Sequence, residues 1–377
     1  MDDTKLFPKT YEEARARFRA DLAQVRALWP EARLEHRALR DFPDLTTDWI
    51  WAEARRQPRV RLILSAGEHG VEGYVGSAML HLFVEEFLPR LDPDEVGLLL
   101  IHVINSWGMA HRRRVNPNNV DLNRNFLDPE AFRTASEVNP AYTALHKVLN
   151  PSGPVRWYPG AVWAWKARLL KNLISPGEAA VRAATLLGQY RFPQGLYYGG
   201  DRLQEETLTV QNLLREAWQG YAQVVHLDMH TGYGPREQMT LVNSPLEPRP
   251  LEEFKKAFGY PHVVATEPGE FYAIHGDMMD WAYRTAAQEA PGTQVYAAAF
   301  EFGTLGAGLA AAIRSLQAMV FENRAFWYGA SAAAQRRIEA EFLALFYPQE
   351  AQWQRRAAAQ ARQAWEGILQ AYHMFKA

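Results

Sequence analysis

The chain has 377 residues, of which 48% are hydrophobic and 22% are charged, a balance typical of a globular protein with a substantial core. Its 41 Lys and Arg residues and 43 Asp and Glu residues give a net charge of −2, so no overall positive field favours a nucleic-acid partner. Cysteine is absent, which excludes thiol nucleophiles, disulfides and Cys-ligated metal sites. A bound metal would therefore need nitrogen and oxygen ligands.

The first predicted element is a helix that Thr10 caps, because Thr10 and Glu13 have the spacing of a capping box. Three strands are predicted next, at 33–38, 47–54 and 59–66. The third is a continuous apolar run of the kind that is buried on both faces of a sheet. A helix over about 72–87 and a second buried strand, VGLLLIHVIN, follow it.

The second half of the chain begins with residues 129–222, whose pattern is mostly helical but is interrupted by Gly and Pro. Strands are predicted again at 222–231, 238–243, 261–266 and 295–303. This alternation predicts an α/β fold with a mixed, largely parallel twisted sheet flanked by helices on both faces. We expect residues 1–377 to form a single catalytic domain, with a helical insertion at about 129–222 and a helical C-terminal extension at about 310–377.

The first candidate site follows the strand at 59–66, where GEHGVEG places His69 and Glu72 beside the carboxyl end of a buried strand. Open α/β sheets put their binding sites at such ends. Two potential ligands three residues apart at this turn can converge on one metal ion. The same spacing also fits a histidine at a helix start beside an ordinary first-turn glutamate.

The second candidate is the segment HRRRVNPNNVDLNRNF, in which Arg113 and Arg114 precede Asn123 and Arg124 by about ten residues. An arginine fork beside an asparagine amide suits bidentate recognition of a carboxylate. A solvated run of charge and a small nucleic-acid patch are the alternative interpretations.

Two further candidates lie on later strands. On a regular strand His226, Asp228 and His230 point the same way. Asp228 could orient a histidine, since metal-binding histidines commonly have a carboxylate partner, whereas we interpret His226 as a core residue. Glu301 ends the apolar strand of AAAFEFGT, and an unpaired buried carboxylate is costly. It is therefore partnered, exposed in a cleft or functional.

Together these candidates supply what metal-assisted hydrolysis needs. Two histidines and one glutamate can hold zinc and leave one position open for water, while a further carboxylate acts as base. Arginines can bind an anionic substrate and its oxyanion. The candidates together indicate a metal-dependent hydrolase much more specifically than any one of them does.

In order along the chain, His69-x-x-Glu72, NVDLNRNF, Asp228-x-His230 and FEFGT resemble the signature of the zinc carboxypeptidase (M14-type) family. That family also includes the aspartoacylase and succinylglutamate desuccinylase branch. The segment FYAIHGDMMDWAY is similar to the family segment that carries a mobile tyrosine. The flanking motifs are most similar to a bacterial subgroup without an established substrate, and the resemblance covers roughly residues 8–305.

The resemblance implies one Zn²⁺ ion held by His69, Glu72 and His230, with Glu301 as general base and proton shuttle. Arg114 would polarise the scissile carbonyl, although Arg113 competes for this role because the run of arginines leaves the register open. The resemblance also implies that further residues contact the substrate: Asn123 and Arg124 as a carboxylate clamp, Tyr272 as a closing residue and Met279 in the side-chain pocket.

The chain departs from the family pattern in one respect, because Glu72 and His230 are 158 residues apart and residues 129–222 hold the excess. This insertion could cover the cleft with aromatic side chains such as those of Tyr190, Tyr197 and Tyr198. A covered site would accept small peptides or acylated amino acids and reject large proteins. The alternative is an outer helical layer that packs away from the site.

The function expected from these features is that of a zinc-dependent metallocarboxypeptidase that removes a C-terminal residue from small peptides. The alternatives are an N-acyl amino acid deacylase with the same zinc ligands, and a zinc-free binding or scaffold protein. We expect a small substrate with a free carboxylate and no nucleic-acid or membrane partner, since no apolar run approaches the roughly 20 residues that cross a bilayer. The opening MDDTKLFPKT lacks the features of a signal peptide, so we expect a cytoplasmic location.

Overall fold

One mixed sheet of eight strands forms the centre of the computed structural model, which describes residues 2–174, 187–265 and 275–376. The strands are β1 (Arg33–Leu39), β2 (Phe42–Ala52), β3 (Val60–Ala66), β4 (Val96–His102), β5 (Gln223–Thr231), β6 (Met239–Asn243), β7 (Val263–Ala265) and β8 (Gln294–Phe302). Their order in the sheet is β1-β2-β4-β3-β5-β8-β6-β7. The central strands β4, β3, β5 and β8 are parallel, whereas β2 and β6 pair antiparallel with β4 and β8.

Helices flank the sheet, which confirms the predicted fold class. The α-helices are α1 (Tyr11–Leu28), α2 (Gly73–Glu86), α3 (Ser106–Ala110), α4 (Pro140–Leu149), α5 (Pro159–Ile174), α6 (Glu205–Ala217), α7 (Leu251–Phe258), α8 (Met278–Glu289), α9 (Leu309–Tyr328), α10 (Ala332–Phe346) and α11 (Ala351–Ala371). Short 3₁₀ helices are Asp3–Leu6, Gly70–Glu72, Leu88–Arg90, Leu122–Arg124, Pro129–Arg133 and Ala135–Glu137. None of the described helices combines the length and the apolar character needed to cross a bilayer.

The two faces of the sheet bury separate apolar clusters. Leu62 and Leu64 of β3 face the cluster formed with α1, α2 and α11, whereas Ile63 faces the cluster formed with α6 and α8. This alternation follows from the two-residue period of a strand. It also explains why three consecutive residues of β3, Leu62, Ile63 and Leu64, are all apolar.

The predicted bounds hold closely for most elements, and the differences have local causes. The first helix begins after Thr10, whose hydroxyl accepts a hydrogen bond from the backbone N–H of Glu13 at 3.1 Å. The glutamate side chain, however, accepts from the N–H of Lys9 rather than of Thr10. Strand β2 begins at Phe42, several residues before the predicted start at 47, because its polar first half pairs with β1. Strand β4 ends at His102, before the last residues of the predicted run.

The described part of the insertion contains two kinds of structure. Helices α4 and α5 pack against α9 through an apolar cluster that includes Tyr142, Trp165 and Phe321. Residues 187–204, which we name the strap, lie instead against the loop at 116–126, as the hydrogen bonds given below show. The helices of the tail also join the core: Trp353 and Trp365 of α11 are buried in the cluster on the β3 face that includes Leu62.

The carboxyl ends of β3, β5 and β8 meet at the same edge of the sheet, as parallel pairing requires. Within the register, His230 of β5 lies opposite Glu301 of β8, and Asp228 lies opposite Ser65 of β3. Open α/β sheets bind ligands at this edge.

Candidate metal centre and active site

The three predicted zinc ligands converge where β3 and β5 end. Nδ1 of His69 is 2.9 Å from Oε1 of Glu72, and Nδ1 of His230 is 3.3 Å from Oε2 of the same carboxylate. The two imidazole rings are 5.2 Å apart between centroids. His69, Glu72 and His230 are buried, and their ligand atoms lie within 4.8 Å of one another.

A tight turn after β3 places His69 and Glu72. Gly67 has a φ of +70°, and a Cβ atom there would lie 1.9 Å from a methyl carbon of Val103. A Cβ atom at Gly70 would lie 2.2 Å from the backbone of Gly108. The turn needs both glycines, because the backbone passes too close to its neighbours for any side chain.

The outward nitrogen of each histidine faces a carboxylate. Nε2 of His69 is 3.0 Å from Oδ1 of Asp121, and Nε2 of His230 is 2.5 Å from Oδ2 of Asp228. Asp228 in turn accepts a hydrogen bond from the Ser65 hydroxyl at 2.6 Å. Such partners fix the tautomer and the ring orientation of metal-binding histidines. Each ring therefore directs its Nδ1 atom towards Glu72.

The chemistry of these donors fits Zn²⁺. Nδ1 of His69 is buried and, among the residues that the structure describes, has no hydrogen-bond partner of suitable geometry, as expected of a nitrogen that binds a metal. Burial would lower the pKa of His230, but the carboxylates of Asp228 and Glu72 hold it well above its ordinary value. The same negative charge attracts a divalent cation. Two imidazoles and one carboxylate form a known zinc-binding set that leaves a fourth position open.

Glu68 adds a further buried carboxylate that the sequence analysis missed. Its Oε2 atom is 3.6 Å from Nε2 of His230, and neither carboxylate oxygen has a hydrogen-bond partner among the described residues. Burial and the charge of Asp228 raise the pKa of Glu68 well above its ordinary value. Nothing in the sequence separates this residue from an ordinary turn glutamate, because its neighbours become apparent only in the fold.

Glu301 lies beside the triad at the end of β8. One of its carboxylate oxygens accepts a hydrogen bond from the backbone N–H of Tyr233 at 2.8 Å. Burial and the negative charge of Glu72 raise the pKa of Glu301 to about 7. The carboxylate is thus held by one oxygen, and it can gain or lose a proton near neutral pH.

Arg113 and Arg114 point to different parts of the molecule. Arg114 donates to Oε1 of Glu72 at 3.1 Å and to Oδ2 of Asp121 at 3.2 Å. Arg113 instead pairs with Glu322 of α9 at 2.7 Å, and its guanidinium group lies 3.7 Å from the ring centroid of Phe326. Of the two arginines, Arg114 is the one that contacts the triad.

Asn123 and Arg124 lie in the 3₁₀ turn that follows Asp121. The side-chain oxygen of Asn123 accepts from the backbone N–H of Met278 at 3.0 Å. Arg124 is buried and donates from Nη1 to the backbone carbonyl of Asn123 at 2.8 Å. Its Nε atom is buried and has no hydrogen-bond partner among the described residues. An arginine with an unused buried donor is suited to an anionic ligand.

Met279 and Tyr272 are the remaining predicted substrate contacts. Met279 is 7% exposed and belongs to the apolar cluster on the α6 and α8 face of the sheet, which also contains Phe126 and Trp281. Tyr272 lies outside the described residues.

The strap is fastened to the loop that carries the arginines. Asp121 donates its backbone N–H to the carbonyl of Tyr198 at 2.7 Å. The amide of Asn125 donates to the carbonyl of Gly199 at 2.7 Å, and the hydroxyl of Tyr190 donates to the carbonyl of Arg124. Helices α4 and α5 thus form an outer layer, whereas the strap lies beside the candidate site, and a cover over the cleft stays a prediction.

Asp121 is the second residue that the sequence analysis missed. Burial would raise its pKa, but the guanidinium of Arg114 and the imidazole of His69 hold the pKa of Asp121 well below its ordinary value. The sequence signal that could have identified Asp121 is its position two residues before Asn123, within the NVDLNRNF motif.

Comparisons with solved structures find carboxypeptidases among the similar folds. Bovine thrombin-activatable fibrinolysis inhibitor is 15% identical, with a TM-score of 0.47 over 89% of this chain and 97% of that one. Carboxypeptidase A from Helicoverpa armigera is 12% identical, with a TM-score of 0.45 over 89% of this chain and 73% of that one. A candidate succinylglutamate desuccinylase/aspartoacylase from Shewanella frigidimarina is 15% identical, with a TM-score of 0.37 over 78% of this chain and 71% of that one.

Sequence comparison gives a family without an assigned activity. No curated protein has significant sequence similarity to this chain. A family model described as "Protein of unknown function (DUF2817)" matches residues 7–360. Because that match covers most of its length, the chain belongs to the DUF2817 family.

Proposed function

We propose that this protein is a zinc-dependent hydrolase that cleaves an amide bond, and that it acts as a metallocarboxypeptidase on small peptides. The observation that carries the proposal is the convergence of His69, Glu72 and His230 at one buried point, with Glu301 opposite His230 on the next strand. Two imidazoles, a carboxylate ligand and a separate carboxylate base are the groups that metal-assisted hydrolysis uses.

Glu301 is the proposed general base. A zinc ion held by the triad would polarise the scissile carbonyl and lower the pKa of water towards neutrality. Glu301 accepts the proton of the attacking water at the carboxylate oxygen that Tyr233 does not occupy, and it then passes this proton to the leaving amine. Its pKa of about 7 suits both steps.

Arg114 is the proposed donor to the carbonyl oxygen of the substrate, where negative charge develops as water attacks the carbonyl carbon. Its guanidinium group is held between Glu72 and Asp121, so little reorganisation is needed when the charge appears. One well-placed donor of this kind contributes about 3–4 kcal/mol to transition-state stabilisation.

Arg124 and Asn123 are the proposed contacts to the terminal carboxylate of the substrate. Arg124 retains a buried donor without a partner among the described residues, and Asn123 uses its side-chain oxygen on Met278, which leaves its amide nitrogen for a ligand. Holding the anionic end fixes the scissile bond relative to the base. The closing role of Tyr272 and the pocket role of Met279 stay predictions.

The deciding experiment combines metal analysis with a substrate panel. Protein purified without chelators should contain about one zinc per chain and should release free amino acid from N-blocked dipeptides. N-acetyl and N-succinyl amino acids should be poor substrates. If those acylated amino acids are cleaved and the dipeptides are not, the protein is a deacylase. Protein that holds no zinc and hydrolyses neither class would contradict the whole proposal.

A further inference from the structure

Tyr197 occupies an unusual backbone position in the middle of the strap. Its φ angle is +57°, a left-handed conformation that costs a residue with a side chain about 1–3 kcal/mol. Hydrogen bonds on both sides enforce this conformation: its own carbonyl accepts from the N–H of Gln189 at 2.9 Å, and the carbonyl of Tyr198 accepts from the N–H of Asp121 at 2.7 Å. Strain that is held in this way commonly occurs where a side chain must point in a particular direction.

The side chain of Tyr197 lies within electrostatic range of the arginines of the candidate site. It is 8% exposed, and its hydroxyl interacts electrostatically with Arg114, Arg124 and Asp121. Burial raises the pKa of Tyr197 to about 12 although both arginines act to lower it. The hydroxyl therefore keeps its proton and can donate a hydrogen bond.

That hydroxyl has a weak partner in the described structure. Its hydrogen-bond contact is the sulfur of Met319 at 3.8 Å, and a thioether is a poor acceptor. The Nε atom of Arg124, a residue whose charge acts on this hydroxyl, has no partner among the described residues. The Tyr197 hydroxyl and the Nε atom of Arg124 are thus two buried donors without a strong acceptor. Burying such donors is energetically unfavourable unless a ligand supplies the acceptor.

The strap cannot carry Tyr197 away from this position without losing several buried contacts. The amide of Asn119 donates to the carbonyls of Pro193 and Gly195 at 2.8 and 3.0 Å. From the other side, the amide of Asn323 on α9 donates to the carbonyl of Gln194 at 2.8 Å. Tyr197 is therefore a fixed part of the site rather than a residue on a moving lid.

We propose that Tyr197 is a specificity-determining residue whose hydroxyl donates a hydrogen bond to the carboxylate of the substrate, beside Arg124. The role rests on the proposed function, since it narrows the substrates of that same site to small molecules with a free carboxylate. The insertion that carries the strap thus supplies a third donor to the anionic end of the substrate. A structural role in the apolar cluster with Tyr142 and Phe321 is the alternative.

Tyr197→Phe separates the two roles, because phenylalanine keeps the ring in the cluster and removes only the hydroxyl. Tyr142→Phe is the matched control, since Tyr142 is buried in the same cluster and its hydroxyl accepts from Asn150 at 2.8 Å. Zinc-loaded wild type and both variants would be assayed on an N-blocked dipeptide and on its C-terminal amide. Binding of phenylacetate and of phenylacetamide would be measured by calorimetry on the same samples.

Tyr197→Phe should raise the KM for the free-acid dipeptide about tenfold or more, the effect of losing a hydrogen bond to a charged group. The kcat and the kinetics of the amide should change little, and phenylacetate binding should weaken by a similar factor while phenylacetamide binding does not. Tyr142→Phe should show neither effect. Equal losses for acid and amide, or no change in phenylacetate binding, would overturn the role of Tyr197.

The two proposals can fail separately. If the wild type cleaves no amide bond, the proposed function fails, and the comparison of phenylacetate with phenylacetamide still decides whether Tyr197 recognises a carboxylate. If the wild type cleaves dipeptides and Tyr197→Phe leaves the preference for the free acid unchanged, only the role of Tyr197 fails.

Discussion

Oδ1 of Asp121 lies 3.0 Å from Nε2 of His69, and the other oxygen of that carboxylate faces Arg114. One buried side chain thus orients a proposed zinc ligand and also holds the arginine proposed to bind the substrate carbonyl. Replacing it should therefore affect two separate steps, metal binding and turnover.

Asp121→Asn should weaken zinc binding about 10–100-fold, the usual cost of losing the carboxylate partner of a metal-binding histidine. Competition with a chromogenic chelator measures this affinity directly. Asp128→Asn is the control, because Asp128 is an exposed carboxylate in the same loop. An Asp121→Asn variant with wild-type zinc affinity would show that Asp121 does not hold the ring of His69 in place.

Arg113 and Arg114 provide a second test, since only one of these adjacent arginines is expected to contribute to turnover. Arg114→Gln should lower kcat/KM about 10²–10³-fold, by analogy with the loss of one oxyanion donor. Arg113→Gln removes a buried partner of Glu322 and should destabilise the protein by about 3 kcal/mol. Its activity per folded molecule should stay near the wild-type value.

Steady-state kinetics and urea unfolding of both variants would test the roles assigned to Arg113 and Arg114. If Arg113→Gln lost activity per folded molecule while Arg114→Gln kept it, the assignment of the two arginines would have to be exchanged.

Much of the site was predictable because its functional side chains lie at or just after the ends of strands whose apolar pattern is easily recognised in the sequence. The runs of β3, β5 and β8 predict a parallel sheet, and parallel strands bring their carboxyl ends together. His69, Glu72, His230 and Glu301 follow from this rule together with their ligand chemistry. His230 and Glu301 lie on the strands themselves, and His69 and Glu72 lie in the short turn directly after β3.

The rest of the site depends on contacts that no local pattern contains. The choice between Arg113 and Arg114 depends on α9, about two hundred residues later, which supplies Glu322 as a partner. The position of Tyr197 depends on the fastening of the strap by Asn119 and Asn323. Neither of these long-range contacts leaves a periodic signal in the sequence.

Glu301→Gln should retain zinc and lower kcat about 10²–10⁴-fold, because it removes the base without changing a ligand. The contrasting variant is Glu72→Gln, which changes a ligand and should lose zinc as well as activity. Metal analysis and steady-state kinetics on both variants separate the two roles. Loss of zinc from Glu301→Gln would place Glu301 among the metal ligands instead.

Glu206 allows a prediction about stability that is independent of the proposed activity. It lies in the first turn of α6, is 3% exposed, and accepts a hydrogen bond from the amide of Asn116 at 3.3 Å. Burial raises the pKa of Glu206 from its ordinary value of 4.5 to about 7, and the charge of the neighbouring Glu205 acts in the same direction. The folded protein therefore holds a proton that the unfolded chain releases between these two pH values.

Because the folded state binds more protons in this window, stability should fall as pH rises from 4.5 to about 7 and then level off. The contribution of this one group is on the order of 3 kcal/mol. Glu206→Gln mimics the protonated side chain at every pH. The variant should match the wild type near pH 5 and exceed its free energy of unfolding near pH 8.

Urea unfolding at pH values from 5 to 8 measures this difference, with Glu216→Gln, an exposed position on the same helix, as the control. The control variant should follow the pH profile of the wild type. A constant difference between wild type and Glu206→Gln across the whole range would mean that Glu206 keeps the same charge in the folded and unfolded states. Since burial of this carboxylate outweighs the hydrogen bonds that it accepts, we expect the difference to grow with pH.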